Sequence, residues 1–148
     1  MSKNLRTATM VLLVAGVIVA LSTASFAQKV TLPKYDTKTE VHFAKAVVQD
    51  VKEVPVGNGS PRVVLTVKTG DDTFDVYLSP KAYLDMMDTT FAKGDELEIT
   101  GAKMTDSDNK TIIIGREVIK GQNTVVLLDK TGAPAWTWME KTKTAEGK

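Results

Sequence analysis

The chain has 148 residues, no cysteine, 25% charged residues and a formal net charge of +1. That length holds one domain with one modest core. The near-neutral balance leaves no electrostatic footprint for a polyanion, so nucleic acid is not an expected partner. Without cysteine there is no disulfide framework, no thiolate metal site and no lipid-modified cysteine.

Residues 1–27 read as an export signal, set aside before the fold is considered. Lys3 and Arg6 precede an apolar run from Met10 to Leu21, and Ser25-Phe26-Ala27 offers small residues where a signal peptidase reads. Cleavage is expected before Gln28, leaving a periplasmic or extracellular protein with no stable membrane span. The alternative is an uncleaved anchor, although the apolar run is short against the roughly 20 residues of a spanning helix. No Arg-Arg pair points to a twin-arginine route.

Residues 28–38 contain Pro33 and no periodic pattern, and form a lead-in arm. A barrel domain is expected over residues 39–132. Its first strand spans about Thr39–Lys52. Val41 and Phe43 alternate there, after which the apolar phase slips by one residue to Ala46 and Val48, the mark of a β-bulge. Pro55–Pro61 is a loop around Asn58-Gly59. Arg62–Thr69 places Val63, Leu65 and Val67 on one face, Gly70-Asp71-Asp72 turns, and Thr73–Ser79 returns with Phe74, Val76 and Leu78 inward. Ser79 suits a helix N-cap and Pro80 the first helical position. The helix to about Asp88 would bury a stripe of Tyr83, Met86 and Met87 and plug one barrel end.

The fourth strand carries Leu97 and Ile99, with Gly101 permitting a bend. Thr105–Lys110 is a polar hairpin loop, and Thr111–Ile119 is a strand apolar on both faces through Ile112, Ile113 and Ile114. A sixth run, Thr124–Leu128, ends at Asp129–Gly132. Residues 133–148 form a tail with two tryptophans and a Lys-rich end expected to be disordered. This order predicts a mainly all-β fold, an OB-fold-like antiparallel barrel of five to six strands with one short helix between strands 3 and 4.

Several runs carry a resemblance: Val76-Tyr77-Leu78-Ser79-Pro80 with Tyr83-Leu84, Gly94–Gly101, Arg116-Glu117-Val118, and Leu127-Leu128-Asp129 with Gly132, Pro134 and Trp136. Over roughly Val63–Trp136 the chain resembles small exported bacterial proteins with an OB-like domain and uncharacterised function. It departs from them at Ser79, where glycine is expected, and at Leu128, where arginine is expected. The resemblance implies fold and export, not an activity.

No constellation of residues specifies catalysis, a cofactor or a metal. Ser107-Asp108-Asn109, Ser107 with Lys110, and two Lys-Thr-Gly runs mimic the motifs of penicillin-recognising enzymes. In those enzymes the motifs are separate elements, whereas here the first two share one hairpin loop. A single histidine, His42, makes neither a His-based metal site nor a catalytic triad. Asp71/Asp72, Asp85/Asp88 and Asp106/Asp108 are turn residues, and the last pair lacks the glycine of a calcium loop.

Ligand contact in such barrels falls on the outer face of strands two and three. Here that face would present Arg62, Val64, Thr66, Lys68, Asp75 and Tyr77. Trp136 and Trp138 would share a face of an extended tail, as an interface or folded back as a lid. The expected function is therefore an exported non-catalytic module binding a protein partner or envelope component through Arg62, Thr66, Lys68, Tyr77, Trp136 and Trp138. The alternatives are a small-molecule or oligosaccharide-binding module using Tyr77 and, more remotely, a carboxylate-dependent hydrolase.

Overall fold

The computed structural model describes residues 30–57 and 59–140. The export signal at 1–27 and the Lys-rich end at 141–148 lie outside the described residues. A 3-10 turn, Thr37–Thr39, leads into β1 (Glu40–Val54), followed by β2 (Arg62–Thr69) and β3 (Asp72–Pro80). The helix α1 (Lys81–Met86), β4 (Glu96–Thr105), β5 (Thr111–Lys120) and β6 (Asn123–Val126) complete the order.

β1 is the long strand from which the rest hangs. Its second half pairs with β2 and its first half with β4, with register shifts between Val48 and Asp50 and between Phe43 and Ala46. The second shift falls where the apolar phase slips in the sequence. An extra residue bends the strand, which lets one strand serve two neighbours around a corner. β2–β3, β4–β5 and β5–β6 are hairpin-like antiparallel pairs, and β3 closes on β5.

That closure corrects the antiparallel expectation. Asp75, Val76 and Tyr77 pair in parallel with Ile112, Ile113 and Ile114, so five strands form a closed barrel with mixed pairing. The chain reaches β5 from β3 through α1 and β4, a crossover long enough to bring it back in the same direction. Val48, Leu65, Val76, Leu97, Ile99 and Ile113 fill the interior, each at 1% exposure or less. Gly101 stands opposite Gly115 at the register shift between Thr100 and Gly101. A Cβ there would press on the Ile114 carbonyl oxygen and lie 2.8 Å from Ile113 Cγ2. The two strands approach too closely for a side chain.

The helix is shorter than expected. Ser79 and Pro80 belong to β3, Pro80 occupies the cap position, and the Ser79 hydroxyl donates to the Pro80 carbonyl instead of capping. α1 buries Tyr83 and Leu84 and leaves Met86 and Met87 at the surface, 50% and 42% exposed. The physical reason lies at its end: the helix stops at Met86, and Asp88 enters the left-handed region with φ 52°. Met86 is the last helical residue and Met87 its cap, so neither is carried onto the face that Tyr83 and Leu84 bury.

Candidate functional site

The outer face of β2 and β3 is where ligand contact was expected, and the structure covers it with the chain's own segments. Register places Val64 beside Tyr77 and Tyr77 beside Ile114; one step along, Thr66 lies beside Asp75 and Asp75 beside Ile112. Val64, Asp75, Tyr77, Ile112 and Ile114 are all buried. This corrects the picture of an open, solvated face. The tyrosine is 4% exposed, so a sugar-stacking role would first require its ring to be uncovered.

Two flanking loops and the arm provide the cover. Val30 bridges to Val56, its N–H donating to the Pro55 carbonyl (3.1 Å) while its own carbonyl accepts from Gly57 N–H (3.1 Å). The next residue, Thr31, donates its N–H to Ser107 Oγ at 3.4 Å. Consecutive arm residues therefore stitch together the loop after β1 and the loop after β4. Burial pushes the Tyr77 hydroxyl above its ordinary pKa, helped by the charges of Asp75, Asp106 and Asp108. The loop after β4 is thus close enough to act on this ring. Inside that loop the Asp106 carboxylate accepts from the N–H groups of Asp108 and Lys110, both at 2.9 Å. The residues mimicking a catalytic motif are making a turn.

Asp75 is the polar centre of this face. Its carboxylate accepts from Thr66 Oγ1 at 2.7 Å and pairs with Lys110 Nζ at 2.6 Å and Lys52 Nζ at 3.3 Å. Burial alone would raise its pKa. The hydrogen bonds from Lys110 and Thr66 and the charges of Lys52 and Lys110 outweigh burial and hold it below the usual carboxylate range. Of the expected contact residues on these strands, Lys68 is exposed, Thr66 half-buried against Asp75, and Arg62 half-buried at the start of β2.

The two tryptophans separate. Asp129 carries the turn that reverses the chain, its carboxylate accepting from Thr131 N–H (2.7 Å), Thr131 Oγ1 (2.6 Å) and Ala133 N–H (3.0 Å). Ala135 N–H then donates to the Leu127 carbonyl at 2.9 Å, laying the returning chain beside the strand it left. Trp136 is driven into the core at 1% exposure, its ring 5.8 Å from that of Tyr83. The Arg62 guanidinium lies 4.6 Å over the same ring. Trp138 is 52% exposed. Residues 137–140 are helical, so the extended geometry that would have put both indoles on one face does not form.

Sequence reasoning missed a third cluster. Tyr35 OH donates to Glu40 Oε2 at 2.6 Å, and Arg116 Nε and Nη2 reach Glu40 Oε2 and Oε1 at 3.0 and 3.2 Å. These hydrogen bonds hold Glu40 below its ordinary pKa, while burial and the neighbouring Glu40 push Tyr35 up. Gly132, with φ 86°, fits against Tyr35: a Cβ there would lie 2.7 Å from the tyrosine Cβ. The cluster joins arm, β1, β5 and the loop before the tail. Glu40 and Arg116 lie 76 positions apart, so no local spacing announces it. His42, exposed on β1, contacts Thr100 Oγ1 and Glu98 Oε1 at 2.9 and 3.1 Å. Among the described residues, no group of three or more His, Cys, Asp or Glu side chains is arranged to hold a metal ion. Also among them, no helix is long and apolar enough to cross a membrane.

The fold and its clasped outer face define a small all-β protein, a closed five-stranded barrel sealed by its own flanking segments. The chain belongs to the MamS/MamX magnetosome protein family, whose sequence model matches residues 40–125. No curated protein and no solved structure matches the chain.

Proposed function

We propose that the chain is an exported, non-catalytic binding module with an OB-like barrel, holding a protein partner at the magnetosome. The observation that carries this reading is the coincidence of family match and barrel. The matched segment, 40–125, begins at the first residue of β1 and ends one residue short of the end of β6. The unit common to the family is the barrel, so a shared role belongs on its surface and loops. Five closed strands with a short helix between the third and fourth support the OB-like assignment.

The non-catalytic part of the reading is supported by how the charged side chains are used. Asp75, Glu40, Arg116 and Asp129 each join elements that are distant in sequence or close a turn. The export part is supported by the Lys3/Arg6 segment, the apolar run after it and the Ser25-Phe26-Ala27 site.

The test is fractionation and in-cell crosslinking of the tagged full-length chain in a magnetosome-forming host. Enrichment in the magnetosome fraction, with one protein crosslinked in stoichiometric yield, is the expected result. A chain spread evenly through the soluble fraction, with no specific crosslink, would remove the reading.

A further inference from the structure

Between arm residues 31–35 and the barrel lies a groove of ≈ 350 Å³. Leu32, Val56, Ile114 and Leu128 give it apolar walls, and Lys34 and Arg62 are its cations. Among the described residues that line it there is no aspartate or glutamate. The volume is at the lower end of the roughly 300–1,000 Å³ typical of ligand sites. It has room for the end of a chain and not for a folded surface.

Arg62 gives the groove its direction. Its guanidinium is held over the Trp136 ring at 4.6 Å, and Nη1 reaches the Leu78 carbonyl at 3.4 Å. A planar fork fixed by packing is suited to receive a carboxylate through two hydrogen bonds. Burial pulls its pKa down, and the charge of Glu140 pushes it back up. A carboxylate of the chain itself, Glu140 on the tail, thus acts on Arg62 through its charge. Lys34, exposed on the arm, adds a second positive charge at the mouth.

We propose that this groove receives the C-terminal end of a partner polypeptide. An apolar last side chain packs against Leu32, Val56, Ile114 and Leu128, and its α-carboxylate pairs with Arg62 and Lys34. Glu140 competes with that carboxylate from within the chain. The inference rests on the partner-binding reading and supplies the chemistry of the contact.

The probe is N-acetyl-Leu-Leu as free acid, compared with its C-terminal amide, titrated into the full-length chain and followed by NMR shifts and calorimetry. The free acid is expected to bind roughly tenfold more tightly than the amide, the worth of a charge-assisted hydrogen bond. Lys34→Gln is expected to weaken the acid several-fold with melting temperature unchanged, and Glu140→Gln to tighten it at the cost of a small drop in melting temperature. These two surface changes keep the test open where Arg62→Gln fails to fold; Arg62→Lys is expected to lose most of the acid's advantage. Equal binding of acid and amide, or indifference to both Lys34→Gln and Glu140→Gln, would overturn the proposal. Octanoate binding as tightly as the peptide acid would overturn the commitment to a polypeptide end. A crosslinked partner retained in full by Lys34→Gln and Arg62→Lys would leave the partner reading standing and sink this site. Free-acid binding in a host with no crosslinked partner would do the reverse.

Discussion

Replacing Trp136 by alanine tests whether the tail is a lid or an interface. Trp136 is 1% exposed, with Tyr83 and Arg62 on its ring. Truncating a fully buried tryptophan costs about 3–5 kcal/mol through lost transfer energy and the cavity left behind. The two ring contacts place this site in the upper half of that range: an aromatic pair adds about 0.5–1.5 kcal/mol and a cation over a ring about 0.5–2 kcal/mol. Domains of this size carry only about 5–15 kcal/mol in total. The melting temperature should therefore fall by roughly 10–20 °C.

Trp138, 52% exposed, serves as the internal control. Trp138→Ala should change stability by less than about 1 kcal/mol. Urea and thermal unfolding followed by circular dichroism on the two variants decides the matter. A Trp136→Ala protein melting within about 3 °C of the parent would refute the lid assignment, as would a Trp138→Ala protein equally destabilised. The same logic governs partner experiments. Loss of a partner in a double tryptophan variant reports unfolding of the lid unless Trp138→Ala alone reproduces it.

Gly101→Val should cost at least about 3 kcal/mol, because its Cβ meets the Ile114 carbonyl and Ile113 where β4 and β5 approach closely; chemical denaturation reads this directly. Asp75→Asn should cost about 1–2 kcal/mol and not the 3–5 kcal/mol of a sealed ion pair, because Lys52 and Lys110 are half exposed and regain water when the charge goes. Asp75, Glu40 and Asp95 all have depressed folded pKa values, so the stability they add is complete above the unfolded carboxylate range near ~4 and lost as pH falls through the folded values. Tyr35, Tyr77 and Tyr83 are shifted upward, so their contribution is present below about pH 10 and lost as pH rises through their folded values. A melting temperature constant between about pH 4 and 10, falling on both sides, is the expected profile. A plateau extending unchanged to pH 2 would refute the carboxylate assignment.

Local alternation carried much of the barrel. The phase slip between Phe43 and Ala46 marked a register shift, and three successive isoleucines in β5 marked a strand buried on both faces. The parallel β3–β5 closure was not legible, because hydrophobic alternation reports which face is buried and not which strand lies alongside. The helix was overextended because Met86 and Met87 fit the helical period, while the left-handed turn at Asp88 depends on backbone geometry that the pattern does not encode. In sequence the candidate site reads as open because Val64, Thr66, Lys68, Asp75 and Tyr77 occupy the outward phase of their strands. Its cover comes from residues 30–31 and 105–110, distant pieces whose own sequence reads as arm and turn. Trp136 and Trp138 look equivalent in the chain; the turn at Asp129 brings Trp136 back onto the core, and the helical backbone of residues 137–140 leaves Trp138 at the surface.

The matched family segment and the folding unit are different stretches of chain. Residues 40–125 supply every barrel strand, yet Leu127, Leu128 and Trp136 belong to the buried cluster, and Val30, Leu32 and Tyr35 pack against it. Cutting at 40 and 125 would remove three fully or nearly fully buried side chains, each worth about 2–5 kcal/mol, from a fold with only about 5–15 kcal/mol to lose. It would also strip the arm that ties the loop after β1 to the loop after β4. A 40–125 fragment should therefore fail to give a dispersed NMR spectrum, while residues 30–140 should fold like the full chain. A well-dispersed spectrum from the shorter fragment would show that the clasps are ornament. Its failure would make the arm and tail part of the barrel's construction, holding buried side chains that the family match leaves out.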